Sequence, residues 1–235
     1  MTPTRDGRPW LLAIDTGTSK IVIAAGSVDG RVLAAIDEPA GHRHGERLLA
    51  GVERLVGAAH LDLRALAGIV VGIGPGAFTG LRVGLATAKT LAHARGLPIA
   101  GIGTGEALLR AAETDPGERS TRRNDLVLLL PAGPHDRLEV RPGRDARLLP
   151  GGMEPDLGPS DVLVAVDLAG RAPQAAVASG ERALAGLAAA LVELGARRLA
   201  AGFGDDPARL VPEYVSLPRG VRVAGGEIEW SHGPR

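Results

Sequence analysis

The chain has no cysteine, only two lysines among its 27 basic residues, and 2% aromatic residues. Without cysteine there is no disulfide framework, no thiolate zinc site and no cysteine nucleophile. The absence fits a reducing compartment. Net charge is missing too, because 27 Lys and Arg balance 27 Asp and Glu. A sequence-independent grip on nucleic acid needs surplus positive charge to displace counterions. Any RNA contact is therefore local or belongs to a partner. No apolar run reaches the about 20 residues that a membrane-spanning helix needs, and the short polar stretch 1–10 does not read as a secretory signal. The expected compartment is the cytoplasm, with no membrane partner. The scarcity of lysine and the abundance of alanine and glycine are read as genome composition, with no function drawn from them.

What is present is 235 residues at 45% apolar composition, enough for one sizeable core or two small ones. The run 11–15 (Leu-Leu-Ala-Ile-Asp) leads into a turn of small residues at 16–19. Residues 21–25 and 32–36 follow, separated by the Asp29-Gly30 turn, so the chain opens with three strands joined by tight turns. Leu48, Leu49, Val52, Leu55 and Val56 are spaced for an amphipathic helix over 44–59. A β-branched strand at 68–73 is broken by Gly-Pro-Gly at 74–76. A second helix is predicted over 81–94, with Thr79 as its N-cap and Gly96 as its stop. Residues 99–102 make one more strand. This order predicts a mixed-sheet α/β unit. The polar stretch 115–124 reads as a linker dividing an N-terminal domain, 1–110, from a smaller α/β domain, 111–235. In the second unit, strands are predicted at 126–130, 138–140 and 162–166, mostly loop at 142–160, a helix at 181–194, and a short strand at 198–202.

Two motifs have the composition of an anion site. Asp15-Thr16-Gly17-Thr18-Ser19 sits between two strands, where backbone N–H groups can point at an anion and the carboxylate can hold a magnesium ion or a water. The alternative is a tight turn satisfied by its own polar side chains. Gly72 to Gly84 follows a strand and opens a helix, a position where N–H groups and the helix dipole favour anions. It lacks the Gly-Lys-Ser/Thr of a P-loop, and its spacing and Pro75 exclude a dinucleotide fingerprint. The other reading makes Gly74, Pro75, Gly76, Thr79 and Gly80 a structural loop for a tight turn and close helix approach. His42 and His44 are two apart, so they cannot share one helical face, and no metal site is assigned to them. There is no Gly-x-Ser-x-Gly elbow and no Ser, His and Asp set. Asp167, Asp205 and Asp206 read as solvated loop acids.

These strings resemble a known family. Residues 11–18 resemble the opening of the TsaB family, accessory subunits of bacterial tRNA threonylcarbamoyladenosine synthesis. His44-Gly45-Glu46-Arg47-Leu48-Leu49 is similar to that family's first-helix motif. The stretch 74–89 (Gly-Pro-Gly-Ala-Phe-Thr-Gly-Leu-Arg-Val-Gly-Leu-Ala-Thr-Ala-Lys) resembles its most specific signature. The segment 101–108 and Pro212-Glu213-Tyr214-Val215 are similar to later motifs. The resemblance is dense over 11–109 and thin beyond. The stretch 131–140 lacks the family's Asp-Ala-Arg aspartate, and no tyrosine follows Val140.

The resemblance implies an actin/Hsp70/sugar-kinase-like (ribonuclease H-like) fold with two subdomains, the second reduced. It makes Asp15, Thr16, Gly17 and Thr18 a degenerate phosphate hairpin and implies no catalysis by this chain alone. No cofactor is expected to bind tightly; ATP or ADP is placed only at an interface with the partner. That partner is a TsaD-like subunit, which in the family binds iron or zinc and transfers threonylcarbamoyl to the adenosine beside the anticodon, joined by a TsaE-like ATPase. Contact with tRNA comes only through the complex. A TsaD-type metal site uses two histidines four apart on a helix, and the sequence has no such pair. Candidate partner-binding residues are His44, Leu48, Leu49, Val52 and Leu55 on the first helix, and Arg82, Val83, Ala86, Thr87 and Thr90 on the second. The small residues Gly84, Ala86, Thr87, Ala88, Thr90 and Ala92 would let another helix approach closely. The alternative is that both helices merely cover their own sheet. In isolation the chain is expected to form a homodimer. Two rival functions stand beside this one. An ATP-dependent kinase or acyl-phosphate transferase of the actin-like superfamily lacks a second glycine phosphate loop here. A peptidase has no visible nucleophile or metal set.

Overall fold

In the computed structural model the described residues are 7–40, 44–114, 123–213, 221–224 and 227–230. Side chains are described for all of these except 44–46, 221–224 and 227–230. Residues 115–122 of the expected linker, His42, Arg43, Tyr214 and Val215 lie outside the described residues.

The opening meander is β1 (Trp10–Asp15), β2 (Lys20–Ser27) and β3 (Val32–Pro39), paired antiparallel in sequence order. Then come α1 (His44–Ala58), β4 (Leu66–Gly74), α2 (Phe78–Arg95), β5 (Ile99–Gly103) and α3 (Thr104–Glu113). β4 joins β1 in parallel and β5 joins β4 in parallel, so the sheet runs β3-β2-β1-β4-β5. Its central strands are continuous apolar runs because both faces are covered. Trp10, Leu12, Ile14, Ile21 and Ile23 face one side, in a cluster with Leu48 and Leu55 of α1. Ala13, Val22, Ala24 and Val70 face the other, in a cluster with Leu108 of α3 and with Leu187 and Leu191 of α4 (Gln174–Ala200).

The second sheet is β6 (Leu126–Pro131), β7 (Arg137–Val140), β8 (Arg147–Leu149) and β9 (Val162–Ala165), in the order β8-β7-β6-β9. A last pair, β10 (Val221–Ala224) and β11 (Glu227–Trp230), is antiparallel. A five-stranded 3-2-1-4-5 sheet with helices on both faces, followed by a smaller mixed sheet, is the actin-like arrangement that the family resemblance implies. α4 binds the two lobes together: Leu128 and Val164 of the second sheet share one core with Leu187, Leu191 and Val70. By length and hydropathy α4 alone among the described helices is apolar enough to cross a membrane. Its packing between the two sheets accounts for that composition.

Three points of the sequence reading are corrected. Thr79 is not an N-cap: α2 begins at Phe78, Ala77 holds the cap position, and no side chain caps it. α3 was not foreseen, although Ala107, Leu108, Ala111 and Ala112 give it a buried stripe at helical spacing. The short strand expected at 198–202 is instead the end of α4 and the turn after it; the helix persists because Leu199 still reaches the core. The expectation of mostly loop over 142–160 holds, with the three-residue β8 inside it.

The small residues of α2 are also reassigned. Gly84, Ala88 and Ala92 are buried beneath the helix, while Ala86 and Thr90 are exposed. A Cβ on Gly84 would lie 2.2 Å from Oγ1 of Thr16, so glycine is required there for α2 to lie on the β1–β2 turn. Helix propensity alone favours Gly84→Ala by about 1 kcal/mol. Overpacking reverses the sign: Gly84→Ala is expected to lose roughly 1–3 kcal/mol in urea unfolding. The loss should shrink in a Thr16→Ala background, where the clashing hydroxyl is gone. Equal losses in both backgrounds would count against this packing.

Candidate functional site

The chemistry-bearing residues meet at the β1–β2 turn. Asp15 ends β1 and is completely buried. Its Oδ1 accepts the Gly17 N–H at 2.8 Å, and its Oδ2 accepts the Thr104 hydroxyl at 2.6 Å. Thr104, the first residue of α3, accepts the Gly74 N–H on the same oxygen at 3.1 Å. The carboxylate lies flat against β4, where a Cβ on Gly72 would stand 1.8 Å from Oδ2. Burial pushes the Asp15 carboxyl up from 3.8 to about 6. The bonds from Thr104 and Gly17 hold the rise in check, and the nearby Asp167 charge adds to it.

The rest of the turn is spoken for within the chain. Thr16 donates to the Gly80 carbonyl at 2.7 Å, and the Gly17 carbonyl accepts the Ala77 N–H at 2.7 Å. Lys20 N–H donates to Thr18 Oγ1 at 3.2 Å. Ser19 N–H donates to Asp167 Oδ2 at 2.7 Å, and the Ser19 hydroxyl donates to Asp167 Oδ1. The amides of Gly17, Ser19 and Lys20 are thus engaged internally. This corrects the reading of Asp15, Thr16, Gly17 and Thr18 as a phosphate cradle: three amides of the turn point at the chain's own oxygens. Gly76 and Gly80 pack onto this turn, Gly74 and the buried Pro75 lie between it and the cleft described below, and Thr79 is exposed. Gly74 N–H bonds Thr104, and the carbonyl of Gly80 holds Thr16.

The sequence singled out Asp15 and the glycines but missed Thr104, and it read Asp167 as a solvated acid. The available signal for Thr104 was a hydroxyl residue immediately after a strand and ahead of Glu106, Ala107 and Leu108. Asp205 is also no free acid: it accepts the Gly101 N–H at 2.7 Å and Arg198 at 2.7 Å. Asp206 accepts the Ala208 N–H at 2.9 Å in a local turn. Among the described residues no three His, Asp or Glu side chains come together as a metal site.

A cleft of about 830 Å³ opens between the lobes, lined by Gly74, Gly103, Glu106, Arg144 and Glu213. Burial, with help from the Glu106 charge, pushes the Glu213 carboxyl up.

The proposed partner residues divide into two groups. Leu48 and Leu55 are buried in the cluster under the sheet, and Val52 packs against it. Leu48 and Leu55 therefore cannot contact a partner in this fold, which corrects their assignment. Leu49 is 50% exposed. Arg82, Ala86 and Thr90 point outward, and Val83 and Thr87 are half-buried. The Arg82 guanidinium lies 3.8 Å from the centre of the Phe78 ring. His44 is described only as the first backbone position of α1.

A family model described as TsaD, tRNA N6-adenosine threonylcarbamoyltransferase, matches residues 35–143. An uncharacterized protein of Mycobacterium tuberculosis is 40% identical over 95 residues, which is 39% of this chain and 44% of that protein. The Escherichia coli tRNA threonylcarbamoyladenosine biosynthesis protein TsaB is 35% identical over 94 residues, 40% of each chain. Over this stretch the chain is similar to TsaB proteins. Its alignments span less than half the length of these curated relatives. Among solved structures, YeaZ from Pseudomonas aeruginosa is similar in fold, with a TM-score of 0.67 at 23% identity, over 88% of this chain and all of that one. The TsaD model match takes in α1, the glycine corner, α2 and α3, while the turn at 15–19 and Asp167 lie outside it.

Asp15 makes a pH prediction with a definite sign. Its carboxyl holds a proton more tightly in the folded chain than in the unfolded one, so folding stability falls as pH rises from about 4 through about 6. The contribution is roughly 2–3 kcal/mol between pH 4 and 8. Asp15→Asn should remove this component, seen as a flatter pH dependence of urea midpoints than in the parent chain. Parallel profiles for the two would show that Asp15 titrates normally.

Proposed function

We propose that the chain is a non-catalytic subunit that pairs with a TsaD-like subunit through the outer face of α1 and α2, in a complex that transfers threonylcarbamoyl to tRNA. The observation that carries this reading is the two-sidedness of α2. Its inner face, Gly84, Ala88 and Ala92, serves the chain's own sheet, while Arg82, Ala86 and Thr90 recur every four residues on the exposed side. A slim exposed ridge lets a partner helix approach at the short end of the about 8–10 Å interaxial range, with Leu49 of α1 supplying apolar area beside it. A family model written for TsaD matches this very region, which supports a partner built on the same helix pair and docked face to face. The relatives named TsaB act in threonylcarbamoyladenosine biosynthesis, which supplies the process.

The non-catalytic part rests on the turn at 15–19, whose amides at Gly17, Ser19 and Lys20 are engaged within the chain. A TsaE-like ATPase joins the pair, and any ATP or ADP lodges at the interface with the partner. With formal charge at zero, tRNA is held by the complex rather than by this chain. In isolation a second copy takes the partner's place on the same face, giving a homodimer. The cytoplasm is the compartment.

Ala86→Glu puts a charge on the exposed ridge, where an unpaired charge at an interface centre costs several kcal/mol. Pull-down with the TsaD-like subunit of the same genome should fall by at least about 100-fold, with circular dichroism and melting temperature unchanged. Ala88→Glu, by contrast, buries a charge under the helix and should unfold the chain. Undiminished pairing by Ala86→Glu, or full tRNA modification in cells lacking the chain, would overturn the proposal.

A further inference from the structure

Three loops meet at one end of the second sheet: the turn between β6 and β7, the segment 150–154 after β8, and the turn closed by the Arg171 N–H on the Leu168 carbonyl. They form a cavity of about 490 Å³ lined by His135, Arg137, Gly151, Gly152, Glu154 and Arg171. The Arg137 side chain is only 7% exposed. Its guanidinium donates to the main-chain carbonyls of Met153 and Arg171, and to the two Glu154 oxygens at 2.9 and 3.3 Å. Arg171 donates to the carbonyls of Gly133 at 3.0 Å and Asp136 at 2.9 Å. Carbonyl partners fix a guanidinium without cancelling its charge. Among the described lining residues one carboxylate, Glu154, faces two arginines, and its side chain is 71% exposed. The Asp136 carboxylate is turned to the Gly151 N–H at 2.9 Å and does not line the cavity. Arg137 lies in the stretch 131–140, where the sequence departs from the family pattern, and the TsaD model match ends at residue 143.

We propose that this cavity is a phosphate site, with Arg137 and Arg171 as its anchors and Glu154 as the group that a phosphate displaces. A lone carboxylate from solution offers the arginines nothing that the tethered Glu154 does not already supply. A phosphate brings a charge of about −1.5 to −2 near neutral pH and three acceptor oxygens, so it satisfies two guanidiniums where Glu154 satisfies one. Glu154 stands on an exposed loop, and its release to solvent costs little, as for other exposed ion pairs. The arginines are already held by the backbone, which lowers the ordering cost of binding. The cavity is wider than a bare phosphate ion needs, and the ligand class is inorganic phosphate or a small phosphate monoester. The inference does not rest on the pairing face of α1 and α2, nor on the turn at 15–19.

The test is calorimetric titration of the full chain with inorganic phosphate and, separately, with glycerol 3-phosphate, at an ionic strength fixed with chloride. Glu154→Gln removes the competing charge and keeps the shape, so it should bind at least about tenfold more tightly than the parent. Arg171→Gln should bind at least about tenfold more weakly, and Arg171→Lys should recover part of the loss. Because Arg171 also ties two carbonyls, melting curves in chloride accompany each variant, and Glu154→Gln decides alone if Arg171→Gln fails to fold. Tighter binding of the monoester assigns the spare volume to an organic group, and equal binding assigns the site to the free ion. An affinity unchanged by Glu154→Gln would overturn the proposal, as would no phosphate binding by either protein. Acetate competing as well as phosphate would do the same, because the site would then read a single charge.

Discussion

A single buried carboxylate organises the first lobe. Asp15 has no exposed surface, and an ionised carboxyl in that position costs several kcal/mol unless donors replace its water. The chain brings in one donor from two residues ahead, Gly17, and one from almost ninety residues away, Thr104. Thr104 in turn holds the Gly74 amide, so one hydroxyl connects the end of β1, the end of β4 and the start of α3. Satisfaction is incomplete, which is why the carboxyl titrates near 6 rather than near 4. The glycines at the corner follow from the same requirement. A carboxylate pressed against β4 leaves no room for a side chain at position 72, and a helix pressed onto Thr16 leaves none at 84.

The lobes are held by apolar packing more than by charge. Arg110 of α3 pairs bidentately with Glu193 of α4, and Arg198 binds Asp205 and the Gly101 carbonyl. Partly exposed pairs of this kind contribute about 0–1 kcal/mol each. The shared core is larger in effect: Leu108, Leu128, Leu187 and Leu191 are all fully buried in one cluster, and each such side chain stabilises by about 1.5–3 kcal/mol. The ion pairs and the Ser19–Asp167 clasp therefore set how the lobes register on α4, while the leucines decide that they stay together.

Much of this was legible in the sequence, and the gaps have physical causes. The meander, the first helix and the parallel strands show in the period of their apolar residues, because a sheet covered on both faces must be apolar without interruption over 10–14 and 68–73. Helix ends were less visible. Thr79 has the chemistry of a cap, yet α2 starts a residue earlier, where the turn at Gly17 takes up the Ala77 amide in place of a side chain. Such a tertiary partner leaves no local trace. The strand expected at 198–202 failed for a similar reason, since Leu199 belongs to the helical stripe only once the first lobe lies beneath α4. At the site, Asp15 and the glycines stand together in sequence and were found. Thr104 and Asp167 come from distant segments, and only the fold brings them to the turn.

The same geometry links the fate of the turn to the role of α2. A turn that cradles a ligand must keep its amides free and its neighbours back. Here Gly76 and Ala77 close onto Gly17, Gly80 holds Thr16, and Gly84 lets the helix axis come down onto the hairpin. The Ala77 amide and the Thr16 hydroxyl are thereby withdrawn from any ligand, and all of these contacts fix α2 against the sheet. A helix seated this firmly presents Arg82, Ala86 and Thr90 in a constant frame, which lowers the ordering cost that a docking surface otherwise carries. Occupation of the turn by the chain itself and rigidity of the outer ridge are thus one structural event, and a chain that gave up the first would loosen the second.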